Sequence, residues 1–125
     1  MRMLGARLFH TSAGRVTIDL PVRRAFTQQR GFVHAGILAT IADSAGGYAA
    51  YTLMPQASDV LTVEFKLNFV APARGHRLCA QGRVLRAGRR LTVCELRVES
   101  WTGRRHEVCA IGTQTLYCVR PSEGA

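Results

Sequence analysis

Residues 31–54, GFVHAGILATIADSAGGYAAYTLM, hold one acid and no Lys or Arg, in a 125-residue chain that carries 17 Lys+Arg. The run is Ala-rich and apolar almost all round, and Pro55 closes it, as helix ends often are closed. A helix apolar on every side is expected in the middle of a fold, not on its surface. The rest of the chain must then supply what covers it. After Ser58 the period changes to two: in Thr62-Val63-Glu64-Phe65-Lys66-Leu67-Asn68-Phe69 polar and apolar residues alternate, the pattern of a half-buried strand. Strand-like runs follow near 76–87, 90–101 and 105–119. Turn signals at Arg74-Gly75, Ala87-Gly88 and Thr102-Gly103 separate them, so a four-stranded antiparallel meander is expected. Upstream, Leu4 to His10 and Val16 to Leu20 read as a hairpin turned at Ala13-Gly14 and stopped at Pro21, and residues 21–30 as an ordered loop. The sum is an α+β chain, a sheet of about six strands wrapped around one long central helix.

Length predicts one domain over 1–125, with a short polar tail from about 121. At 47% hydrophobic residues long disorder is not expected, and no apolar run approaches the roughly 20 uncharged residues of a membrane span. A net charge of +9 suggests a polyanionic partner, nucleic acid or a phosphorylated small molecule. Only Lys66 is Lys and the other 16 basic residues are Arg, so part of the excess is compositional. Cys79, Cys94, Cys109 and Cys118 form no C-x-x-C and fall inside apolar strand-like runs, which predicts inert core thiols in a reducing compartment and no metal. Residues 1–18 carry Arg2, Arg7 and Arg15 without an acid, a faint presequence pattern; the hairpin reading is preferred, and a cytoplasmic protein is expected.

The chemistry concentrates on the helix. Asp43 lies in Ile41-Ala42-Asp43-Ser44-Ala45, among residues too apolar to hydrate it, so the carboxylate must be paired, hydrogen-bonded or placed where a ligand enters. Gly46 and Gly47 follow, each costing about 1 kcal/mol relative to Ala in a helix interior, which suggests close approach by a backbone, a ligand or the sheet. At the helix start, Gly31-Phe32-Val33-His34-Ala35-Gly36 leaves first-turn N–H groups without intrahelical partners beside small residues. An oxygen carrying developing charge would bind there, with His34 adjacent. His34 and Asp43 are nine residues apart, hence about 13 Å apart along a helix and on opposite sides of it. If both serve one reaction, the site must lie across a two-fold subunit interface.

The run from Gln28 through Gly31-Phe32-Val33-His34-Ala35-Gly36 to Asp43 resembles the signature of hotdog-fold thioesterases of the phenylacetate-pathway (PaaI-like) type. Thr62 to Ala73, and Gly82-Arg83-Val84 with Gly88-Arg89-Arg90, resemble that family's following strands, and the likeness extends from about Gly14 to Val119. It implies a hotdog fold, a curved antiparallel sheet around a long helix. It also implies a homodimer, often paired into a dimer of dimers, that hydrolyses an acyl-CoA to free acid and CoA with no cofactor. By that resemblance Asp43 activates water or attacks the carbonyl, and the Ala35 N–H stabilises the oxyanion beside Gly36. His34 and Gln28, or Gln29 if the loop shifts by one, orient the thioester, and Thr62 holds water. The family's usual His-Gly-Gly turn has Ala35 at its first Gly, and its loop Asn is Gln28 here; both keep the needed group. Tyr48 and Tyr51 are candidates to line the acyl site, and Lys66, Arg74, Arg89 and Arg90 to meet the CoA phosphates. The alternatives are a hotdog protein that binds acyl-CoA without cleaving it, and a basic nucleic-acid-binding module. Nucleic acid is not the expected partner, because the Arg residues are spread over the turns and the helix has none.

Overall fold

A computed structural model describes residues 2–28 and 30–121, so Gln29 lies outside the described residues. The strands are β1 (Arg7–Ser12), β2 (Arg15–Pro21), β3 (Asp59–Phe69), β4 (Arg77–Ala87), β5 (Leu91–Thr102) and β6 (Arg105–Val119), and the helix is α1 (Ala35–Tyr51). The apolar run thus becomes one helix, its ends trimmed by His34 and Thr52 as caps. Residues 21–30, expected to be an ordered loop, include a short 3-10 turn at Arg24–Phe26 that buries Phe26. The N-terminal hairpin forms, with its first strand starting at Arg7 and a 3-10 turn at Arg2–Leu4 before it.

All six strands make one antiparallel sheet in the order β1-β2-β4-β5-β6-β3. The expected meander is therefore corrected at one place: β3 does not pair with β4 but with β6, at the far edge. Residues 70–76 carry the chain between them across the start of α1, where the Val33 N–H donates to the Ala73 carbonyl at 2.8 Å. Neighbours in sequence need not be neighbours in a sheet when the connection has a helix end to cross.

The sheet packs one face on α1. Leu38, Ile41, Ala42, Ala45, Ala49 and Ala50 of the helix are buried against Ile18, Leu20, Leu78, Leu96 and Val98 of the strands. The small helix residues let the layers approach closely. A Cβ at Gly82 of β4 would collide with the Ala45 backbone, so that strand position admits no side chain. The expectation that α1 is buried on every side is also corrected. Its face away from the sheet is open: Gly36 and Thr40 are exposed, and Tyr48 and Tyr51 are 47% and 44% exposed. One sheet covers one face of a helix, and among the described residues no second sheet or further α-helix covers the other.

Both edge strands are open to solvent. In β3, Leu61 and Val63 are 56% and 58% exposed and Phe65 and Phe69 nearly as much, an unusual amount of apolar surface on a free edge. The four cysteines are buried and unpaired. Burial pushes the thiols of Cys94 and Cys109 up to about 11, and raises Cys79 as well, with Glu99 adding to the effect. They are poor nucleophiles at neutral pH. Among the described residues no helix is long and apolar enough to cross a membrane.

Candidate active site

Asp43 lies half-buried in the middle of α1, on the flank facing β3 and β6. Its Oδ1 accepts from the Thr62 hydroxyl at 2.7 Å and from Nε2 of Gln114 at 2.5 Å. The Gln114 amide also lies 3.3 Å from the Asp43 carbonyl and from Thr62 Oγ1. Three side chains from a helix and two strands thus converge on one carboxylate oxygen. Oδ2 accepts no hydrogen bond from a described residue. The clamp fixes the carboxylate plane and leaves one oxygen with free lone pairs.

Local backbone irregularities build this cluster. The β3–β6 register slips between Thr62 and Glu64, so Thr62 opposes Leu116 while Phe65 opposes Gln114. Without that bulge strict alternation would put Thr62 on the same face as Glu64, away from the helix. The extra residue turns the hydroxyl inward, the usual effect of a bulge on the side chains around it. Gly46 supplies the second irregularity. A Cβ there would strike Oε1 of Gln114 and crowd Leu96, so the bare backbone makes room for the carboxamide under the helix. Gln114 is 1% exposed, and its Oε1 has no partner among the described residues. Gln114 is absent from the residues expected on sequence grounds. Its signal lies in the period of β6: Ala110, Gly112, Leu116 and Cys118 share its phase, and a carboxamide in that series is a polar group on the core-facing side.

The helix start is a separate feature. His34 caps α1, its Nδ1 accepting the Gly36 N–H at 2.9 Å, which leaves Nε2 as the outward nitrogen. The cap occupies the amide of Gly36 and spares that of Ala35, whose N–H is exposed and unpaired among the described residues. Gln28 opens a tight turn, accepting from the Gly31 N–H at 2.9 Å, with Gly31 in the left-handed region at φ 82° that favours glycine. Gln28 and Ala35 rim a cleft of about 400 Å³ whose other walls include Phe32, Leu38, Phe69 and Pro72. Gln28 is the one polar side chain among the described residues that line this cleft.

The expected residues therefore fall into two groups. Asp43 and Thr62 come together with Gln114; Gln28, His34, Ala35 and Gly36 come together at the helix start. Asp43 is eight residues from Ala35, so about 12 Å of helix separates the groups. Tyr48 and Tyr51 lie further along the open stripe of α1. Lys66 stands exposed on β3, alternating with Phe65 and Leu67 and so on the face away from the helix. Arg74 precedes β4 with its guanidinium 4.9 Å over the Phe32 ring. Arg89 and Arg90 occupy the β4–β5 turn at the opposite end of the sheet, where Arg90 donates to the Tyr117 hydroxyl. Within one chain these four cations form no single patch.

Residues 30–106 match the family model described as the thioesterase superfamily. The chain belongs to that superfamily. A thioesterase family protein from Silicibacter pomeroyi has the same fold, with a TM-score of 0.93 and 44% identity over 95% of this chain and 88% of its own. A Saccharolobus solfataricus protein named as an esterase is 31% identical over 82% of this chain and 73% of its own. A Bacillus halodurans protein whose structure was determined with CoA superimposes with a TM-score of 0.80, 27% identical, covering 91% of this chain and 74% of its own. The architecture of one helix on a six-stranded antiparallel sheet is the hotdog architecture of this superfamily, and the reaction class is thioester hydrolysis.

Proposed function

We propose that this thioesterase is of the PaaI-like type and hydrolyses an acyl-CoA at a site shared between two copies of the chain. The reading is carried by one observation: the clamped carboxylate of Asp43 and the unpaired amide of Ala35 are complementary catalytic halves held too far apart to act within one chain. The open stripe of α1 and the free apolar edge of β3 lie on the same flank, joined by the Thr62–Asp43 hydrogen bond. A second copy related by a two-fold along β3 would satisfy the edge, cover the stripe, and lay its helix start beside Asp43.

In that arrangement the acyl carbonyl oxygen accepts from the Ala35 N–H of one copy, at the positive end of the helix dipole. Gln28 and the outward Nε2 of His34 orient the thioester at the mouth of the cleft, and the acyl chain enters its apolar walls. Oδ2 of Asp43 from the other copy takes a proton from water as the water oxygen adds to the carbonyl carbon. The tetrahedral intermediate collapses, the C–S bond breaks, and the CoA thiolate leaves with that proton. Direct addition of Oδ2 to the carbonyl would instead give an anhydride that water then cleaves. Label found in Asp43 after a single turnover in ¹⁸O-water would identify the anhydride route, with water attacking at the Asp43 carbonyl carbon.

Asp43→Ala is expected to lower thiol release from a panel of acyl-CoAs by roughly 10²–10⁴-fold, the usual contribution of a general base. The variant should remain folded, at a cost of about 1–3 kcal/mol for the buried Gln114 amide that loses its carboxylate partner. Undiminished turnover would remove Asp43 from the mechanism, and wild type inert toward every acyl-CoA would remove the substrate class.

A further inference from the structure

The β5–β6 hairpin overhangs the rest of the molecule at the helix-start end. β3 ends at Phe69 opposite Ala110, so residues 105–108 of β6 pair with β5 alone. Under the overhang lies a second cleft, of about 580 Å³, walled by Arg74, Ser100, Thr102, Arg104, Arg105 and Glu107, with His106 at its side. Three guanidiniums face one carboxylate there. Carboxylates pair with Arg7, Arg77, Arg83 and Arg97 on other parts of the sheet, whereas Arg104 and Arg105 have no ion-pair partner among the described residues.

Only one segment separates this basic cleft from the apolar one at the helix start. Ala73 accepts from Val33 on the side of the helix, and His76 donates to the Trp101 carbonyl at 2.9 Å while its Nε2 accepts from Gly103 on the side of the hairpin. Gly75 permits the close passage, since a Cβ would strike the Trp101 carbonyl. Arg74 lines the basic cleft and adjoins the apolar one, its guanidinium lying over Phe32, a wall of the latter. From Ala110, level with Phe69, to Arg105 is five strand residues, about 17 Å. An extended pantetheine arm spans a gap of that order.

Resting on the acyl-CoA reading above, we propose that Arg104 and Arg105, with Arg74, bind the phosphates of the CoA nucleotide, at the hairpin end of the chain whose Ala35 holds the carbonyl. Arg89 and Arg90, at the other end of the sheet, do not meet the same nucleotide from the same chain. The acyl group then occupies the apolar cleft, the arm crosses residues 72–75, and the charged end stops under the overhang.

The test compares an acyl-CoA with the acyl thioester of N-acetylcysteamine, which keeps the reacting bond and lacks the phosphates. Arg104→Ala/Arg105→Ala should raise KM for acyl-CoA at least about tenfold, as expected for losing charge-assisted hydrogen bonds. Its kcat should hold, and its kcat/KM for the short thioester should equal that of wild type. Calorimetry with adenosine 3′,5′-bisphosphate should show binding to wild type and loss of it in the variant. Arg15→Ala/Arg86→Ala removes the same charge elsewhere and should leave KM unchanged. An equal KM rise in both double variants, or no loss of nucleotide binding in the first, would overturn the assignment. If wild type cleaves neither thioester yet the nucleotide binding is lost as stated, the phosphate site stands and the hydrolytic reading falls.

Discussion

The two halves of the candidate site are built in opposite ways. Around Asp43 everything is side chain: a hydroxyl and a buried carboxamide converge on one oxygen, placed there by a bulge and by a missing Cβ. At the helix start the group proposed to act is a backbone amide on an exposed turn, and the side chain of His34 occupies the neighbouring amide. A polar side chain in an apolar helix needs hydrogen-bond partners to hold it in one orientation, and the chain commits core positions to it. An amide at a helix N-terminus is already oriented by the helix, so it tolerates a loop and a range of residues around it. The difference predicts that the first half is sensitive to side-chain changes and the second to backbone changes.

After Asp43→Ala, the next largest effect should come from the backbone half. Ala35→Pro deletes the proposed oxyanion donor and little else, because proline suits the first helical position and His34, at ψ 136°, already has the extended conformation that precedes proline. Turnover should fall about 10²–10³-fold with the melting temperature held. Ala35→Ser, which keeps the amide, should stay within a few-fold of wild type. Mixing Ala35→Pro with Asp43→Ala subunits then breaks or confirms the sharing of the site. Each is dead alone, yet reassorted dimers should regain up to about a quarter of the wild-type rate, since half the dimers hold one intact site. No recovery after subunit exchange would place both groups in the same chain's chemistry.

A smaller effect is expected from the two side chains that clamp Asp43. Gln114→Met keeps length and volume while removing both the amide donor and the unpartnered Oε1. Removing an orphaned buried oxygen should leave stability equal or higher, whereas kcat should fall about tenfold, equivalent to roughly 1.4 kcal/mol of barrier. KM should not move, because the residue positions Asp43 and touches no substrate. Thr62→Val, which deletes one of the two clamps at the rim, should cost less than Gln114→Met, and Thr62→Ser should restore it. A KM change in place of a kcat change would make these residues part of the binding surface.

Legibility followed the range of the interactions. Helix α1 was readable as an unbroken, Ala-rich apolar run closed by Pro55, and the strands as strand-like runs between turn signals, because these signals are local. Asp43 stood out because an acid inside an apolar helix conflicts with its neighbours. The position of β3 was not readable, since the path of residues 70–76 over the helix end is decided by packing far away in sequence. Thr62 reads as a solvent-facing strand residue until the bulge is known, and a bulge leaves no composition signal. Gln114 was visible in principle, as a polar side chain in an apolar phase, but only once the inward phase of β6 is fixed. The four cations expected to meet CoA are basic residues on a strand or at turns on sheet edges, and the pairing order sets Lys66 within β3, Arg74 at one end of the sheet and Arg89 and Arg90 at the other.

The weakest effect tests whether the clamp depends on the core beneath it. The Cys94 thiol points at the Gly46 carbonyl, 3.6 Å away, directly under the residue that makes room for Gln114. Burial raises the thiols of Cys94 and Cys109 from 9.0 to about 11. Below pH 9 both are protonated in the folded and unfolded chains, and their contribution to stability is fully present. Between pH 9 and about 11 the unfolded chain ionises first and releases protons that the folded one retains, so the unfolded state gains and stability falls. A denaturation midpoint measured across this window should decline with rising pH, and Cys94→Ala/Cys109→Ala should flatten that decline while lowering stability at pH 8 through the volume it removes. Because Asp43 is held from that same layer, activity should fall together with the folded fraction. Activity lost at alkaline pH while the protein remains fully folded would separate the carboxylate half from its core and make it as independent as the helix start.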